Sequence, residues 1–114
     1  MQDADTSLLG VANVATPHAA RYLTQLCKHF QHKGIAAQAG ETGSLVFPDL
    51  GACRMQAGAG ILTLTVEALD AARREHLQDV VARHLRRFAF RENLECIWNE
   101  AAARFVLPDT EARQ

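Results

Sequence analysis

The chain has 114 residues, of which 48% are apolar and 22% charged, with a formal net charge of −1. That length suits one domain able to fold without metal or disulfide staples, and the near-neutral charge lacks the basic footprint of a nucleic-acid binder. No apolar run approaches the roughly 20 residues that span a bilayer, the polar, acidic start has no secretory pattern, and three widely spaced cysteines (Cys27, Cys53, Cys96) suggest a reducing compartment, so a cytoplasmic protein is expected.

Residues 1–7 read as a polar lead-in, 8–100 as the domain and 101–114 as a C-terminal tail. Leu8 to Ala15 is mostly apolar and predicts a strand. Thr16 offers a helix N-cap and Pro17 suits the first helical position. The helix should run from Pro17 to about Lys33 and stop at Gly34, where a left-handed residue is needed. Four short runs follow: Ile35–Ala39, Leu45–Phe47, Ala52–Ala57 and Ile61–Ala68. Turns this close together imply hairpins and antiparallel pairing. Leu62, Leu64 and Val66 alternate with Thr63, Thr65 and Glu67, so one face of that strand is buried. Asp70 should cap a second helix, Ala71 to about Phe88, with the stripe Leu77, Val80, Val81, Leu85 and Phe88. Leu94 to Trp98 alternates again and predicts the last strand. Ala101 to Leu107 fits neither pattern clearly.

The expected fold is therefore α+β, in the order β-α-β-β-β-β-α-β, with a curved antiparallel sheet and both helices on one face. Its strand–helix–four strands–helix portion has the order of one repeat of a TATA-binding-protein-like fold. That analogy carries no function.

On the first helix, Ala19, Tyr22, Leu23, Leu26, Cys27 and Phe30 fall on one side at about 100° per residue. His18, Arg21, Gln25, Lys28, His29 and His32 fall opposite, with Lys33 at the edge. This basic, histidine-rich face is either an anion or metal site or simply a solvated face. Solvated faces are about three times as frequent. His29 and His32 are spaced to share a metal, but two ligands are too few, so no metal or cofactor is expected. His84 falls in the middle of the second helix's apolar stripe, either as an acid/base or ligand residue facing the sheet or as a core histidine bonded to a neighbouring side chain or backbone carbonyl. A buried imidazole needs partners, and a structural role outweighs an acid/base role by about two to one. Cys27 with His29 and Cys53 make a poor zinc site, because Cys27 and His29 point about 200° apart. Arg83, Arg86, Arg87 and Arg91 complement a helix C-terminus before they need a ligand. No nucleophile elbow, paired Cys–His or phosphate loop is legible.

The run Ala15-Thr16-Pro17-His18-Ala19-Ala20-Arg21-Tyr22-Leu23-Thr24-Gln25-Leu26-Cys27-Lys28-His29-Phe30-Gln31-His32-Lys33 resembles an uncharacterised bacterial family, number 2218 among the domains of unknown function. So does the run Val81-Ala82-Arg83-His84-Leu85-Arg86-Arg87-Phe88-Ala89-Phe90-Arg91-Glu92. With the middle strands, the resemblance covers roughly residues 8 to 99. It implies bacterial origin and an association with siderophore-interacting reductases, and assigns no catalytic residue. The leading expectation is a non-catalytic binding or accessory module. His18, Arg21, Lys28, His29, His32, Lys33 and His84 would hold a small anionic ligand, such as an iron–siderophore complex, or a reductase partner. The alternative is a homodimeric assembly domain, built through an edge strand or Phe105-Val106-Leu107. A small enzyme using His84 ranks third, and requires a cavity beside that ring.

Overall fold

A computed structural model describes residues 6–104. Strand β1 (Thr6–Ala15) leads into helix α1 (Ala19–Gln31). Strands β2 (Ala36–Ala39), β3 (Thr42–Phe47), β4 (Gly51–Gly58) and β5 (Ile61–Ala68) follow as consecutive hairpins. Helix α2 (Ala71–Phe88) then returns the chain to β6 (Asn99–Arg104). The six strands form one antiparallel sheet in the order β2-β3-β4-β5-β1-β6, with the helices on one face. The expected fold class and element order both hold.

The core lies between that face and the helices. Leu23 and Leu26 of α1 and Leu77, Val81 and Leu85 of α2 meet Val14, Leu45, Cys53, Leu62, Leu64 and Val66 of the sheet, all fully enclosed. Each such side chain contributes about 1.5–3 kcal/mol relative to exposure, so the alternation of β5 fixes which face the helices cover. The open face carries Thr63, Thr65 and Glu67, half-buried as expected. The tight turn between β4 and β5 needs Gly60, whose φ of 74° suits glycine.

Two local expectations are corrected. Helix α1 begins at Ala19, not Pro17. Thr16 turns its hydroxyl to the His18 amide, at 3.1 Å, and donates its proton elsewhere, so no side chain caps the helix. The last strand is Asn99–Arg104, not Leu94–Trp98. Leu94, Cys96 and Trp98 do alternate inward, but they pack against the helix-covered core and join no ladder. The alternation was real; its partner is the core and not a strand. Asp70 caps α2 as expected, accepting from the Arg73 amide at 2.8 Å. Phe105-Val106-Leu107 and the segment from Pro108 lie outside the described residues.

Candidate functional site

Helix periodicity builds the site. On α2, Leu77, Val81 and Leu85 point into the core, while Val80, His84 and Phe88 form the adjoining, half-buried row. That row faces α1 rather than the sheet, so His84 does not take the sheet-facing orientation, while its ring does bond a backbone carbonyl, that of Val80. On α1, the flank His18, Tyr22, Gln25 and His29 meets it. The face read from sequence as uniformly solvated therefore divides. His18, Gln25 and His29 are half-buried along the seam, while Arg21, Lys28, His32 and Lys33 are exposed.

At one end of the seam is a cleft of about 500 Å³, lined by His18, Arg21, Tyr22, Gln25, Phe88, Phe90, Arg91 and Glu92. Its wall is the turn after α2, held by one carboxylate. Thr16 donates to Glu92 Oε1 at 2.9 Å and the Tyr22 hydroxyl donates to Oε2. Both hydroxyl residues are buried. The Tyr22 bond is the main reason the Glu92 pKa lies below its ordinary value; Thr16, His18 and Arg21 add to it against some desolvation. Tyr22 is shifted up, by burial and by the same carboxylate. Glu92 is thus an ionised anchor with both oxygens occupied.

The remaining groups of the cleft are free to receive something. Among the described residues neither Arg21 nor Arg91 holds an ion pair. Two guanidiniums against one carboxylate leave the cleft cationic. Phe90 is 75% exposed at the rim, with the Arg91 guanidinium carbon 5.4 Å from its ring centre. Oε1 of Gln25 is enclosed and accepts no hydrogen bond from any described residue. An orphaned buried acceptor costs about 1–3 kcal/mol, so a turn of the Gln25 side chain that brings this oxygen to a donor in the cleft recovers that cost.

At the other end, His29 and His84 pack ring to ring, with centroids 4.8 Å apart. Phe30 lies 4.8 Å from each ring and Phe88 lies 5.8 Å from His29. His84 Nδ1 is 2.7 Å from the Val80 carbonyl oxygen, which can only accept, so Nδ1 carries the proton. The pKa of His29 is lowered, first by burial and then by the charges of His84, Lys33, Arg87 and His32. The unfolded chain then takes up a proton before the folded one does, so stability falls as pH drops from about 6.5 through the lower folded value. Thermal melts between pH 8 and 5 should show that decline, and His29→Gln should flatten it. An equal decline in the variant would remove His29 as the cause.

The other candidate nucleophiles are inert. Burial raises all three thiols, Cys53 up to about 12. No group of three or more His, Cys, Asp or Glu side chains converges on a metal position among the described residues. Sequence reasoning placed Gln25 on the polar face but missed its role, together with those of Tyr22, Phe90 and Glu92. Only Thr16, as a cap candidate, and Arg91, in the arginine cluster, hinted at that corner.

Residues 11–99 match the family model described as an uncharacterized protein conserved in bacteria (DUF2218). No curated protein matches. Among solved structures, the chain is similar to PA4090 from Pseudomonas aeruginosa, determined by NMR. The two are 35% identical, the match covers 81% of this chain and 95% of that one, and the TM-score is 0.69. The match to residues 11–99 includes every residue lining the cleft.

Proposed function

This chain belongs to the DUF2218 family, and from that premise we propose that it is a non-catalytic binding module whose α1–α2 cleft holds a small aromatic anion bearing a hydroxyl or amide donor. The observation that carries this reading is the pair of guanidiniums, Arg21 and Arg91, that hold no ion pair among the described residues and share the cleft with the exposed ring of Phe90 and the side chain of Gln25. A carboxylate or phenolate pairs with Arg21 and Arg91, the donor meets Gln25, and the ring lies against Phe88 and Phe90. The cleft's volume is within the range of small-molecule sites. Binding rather than turnover fits the fixed chemistry of the lining. Glu92 is held ionised and Tyr22 is engaged with it, so neither is poised to give or take a proton.

A link to siderophore handling, or to a siderophore-interacting reductase, is the finer form of the proposal. Catecholate iron chelators combine negative charge, aromatic surface and hydroxyl or amide donors, the same chemistry the cleft offers. The probe is accordingly 2,3-dihydroxybenzoate, compared with benzoate and catechol by calorimetric titration. The dihydroxy acid should bind at least about fivefold more tightly than either part, since each lacks one charged or donor contact worth about 1–3 kcal/mol. Equal affinities for all three, or no saturable binding, would defeat the reading.

Homodimer formation is the second reading. It is supported by the position of β6 at the sheet margin, where it pairs only with β1 among the described residues and leaves an edge for a second copy.

A further inference from the structure

The histidine pair lies outside the cleft and has no part in the aromatic-anion reading. Beside His84, Arg83 and Arg87 stand one turn apart on α2, and the three residues line a recess of about 210 Å³. Across the seam is the ring of His29. Among the described residues, neither nitrogen of His29 nor Nε2 of His84 forms a hydrogen bond. Arg83 is shared with Asp79 at 2.9 Å, whereas Arg87 holds no ion pair. Phe30 and Phe88 cover the rings on their apolar sides.

The charged and titratable groups around the pair are His32 and Lys33, just past the end of α1, and Arg83 and Arg87 from α2, with Asp79 engaged by Arg83. That surrounding is cationic. It repels a metal ion, disfavours protonation of the His29 ring, and attracts an anion. The Val80 carbonyl fixes the His84 tautomer, which leaves Nε2 as the atom able to acquire a proton.

We infer that His29, His84, Arg83 and Arg87 form a second binding site, for a tetrahedral oxyanion of the phosphate type, and that filling it draws a proton onto the imidazole pair. The guanidiniums take two oxygens of the anion. A proton from solvent adds to a free ring nitrogen, and the resulting imidazolium donates to a third oxygen. The bare His29 ring resists that proton, first because it is buried and then because its neighbours are cationic; the bound anion supplies the opposite charge. The dependence is therefore the inverse of ordinary acid loss: acid tightens the site between the raised midpoint of the anion-bound ring and the lower midpoint of the free ring.

The test uses the whole protein with three probes: sulfate, which keeps its charge throughout, inorganic phosphate, and glycerol 3-phosphate. NMR of the imidazole rings is followed from pH 8 to 5, with chloride at matched ionic strength as the control. Sulfate should move the His29 titration to higher pH, and its affinity should rise by up to about tenfold per pH unit as the pair protonates. Arg87→Gln, a change at an exposed side chain, should weaken binding about tenfold or more without lowering Tm. Arg54→Gln, at an exposed arginine of the open sheet face, should leave it unchanged. Tighter binding of inorganic phosphate would mark a free-ion site, and tighter binding of glycerol 3-phosphate a site for a phosphate ester. Ring titrations that ignore all three probes, or full binding by Arg87→Gln, would overturn the inference.

Discussion

Glu92→Ala is expected to lower the melting temperature by about 5–10 °C and to abolish binding of 2,3-dihydroxybenzoate. The carboxylate is the sole described acceptor for two buried hydroxyls, those of Thr16 and Tyr22. Its removal orphans both donors at once and frees the turn that closes the cleft. Phe90 and Arg91 ride on that turn, immediately before Glu92, so two ligand contacts go with it. Tyr22→Phe separates the two effects. It removes one donor along with its hydroxyl, leaves Thr16 paired, and should cost only part of the stability while the wall stays in place. A Glu92→Ala protein that melts like the parent would show that the carboxylate does not hold the turn. Acid should act in the same direction. Because the folded pKa of Glu92 is depressed, its stabilising contribution is present above the ordinary carboxylate range and is lost as pH falls through the folded value.

Gly51→Ala is expected to be the most damaging single substitution in the sheet, at about 3 kcal/mol or more. Gly51 opens β4 with φ of 143°, a region L side chains rarely enter. A methyl group there would stand 2.1 Å from the Glu67 carbonyl oxygen and 3.1 Å from the Ala68 Cα. Both neighbours are β5 backbone, so neither can swing aside as a side chain would. The clash falls where β4 pairs with β5, at Ala52 opposite Glu67, and where Gly51 faces Phe47 of β3. Denaturant unfolding measures the loss. A variant within about 1 kcal/mol of the parent would mean the backbone relaxes there cheaply.

The helices and four hairpin strands were legible because periodicity and punctuation agree over them. β5 and α2 occupy the expected ranges, and Asp70 and Gly60 play the parts their chemistry suggests. β6 was not legible. Asn99-Glu100-Ala101-Ala102-Ala103-Arg104 has little β preference and no alternation. Its place is set by pairing with β1 from Val11 to Thr6, a long-range event. Of the site, the sequence supplied the residue types of the basic face but not their division. A helical wheel separates a core side from a solvent side. It cannot say that a second helix will cover one flank and place His29 against His84, or bring Gln25, Phe88 and Phe90 to one cleft. Glu92 lay furthest from sight, since its partners are 76 and 70 residues away in the chain.

The most direct test of the binding reading is an amide and side-chain NMR titration of the whole protein with 2,3-dihydroxybenzoate. Saturable shifts centred on Arg21, the Gln25 side-chain amide, Phe90 and Arg91, with the open sheet face silent, are the predicted result. Shifts centred on Thr63, Thr65 and Arg54 of the sheet face, or none that saturate, would contradict it.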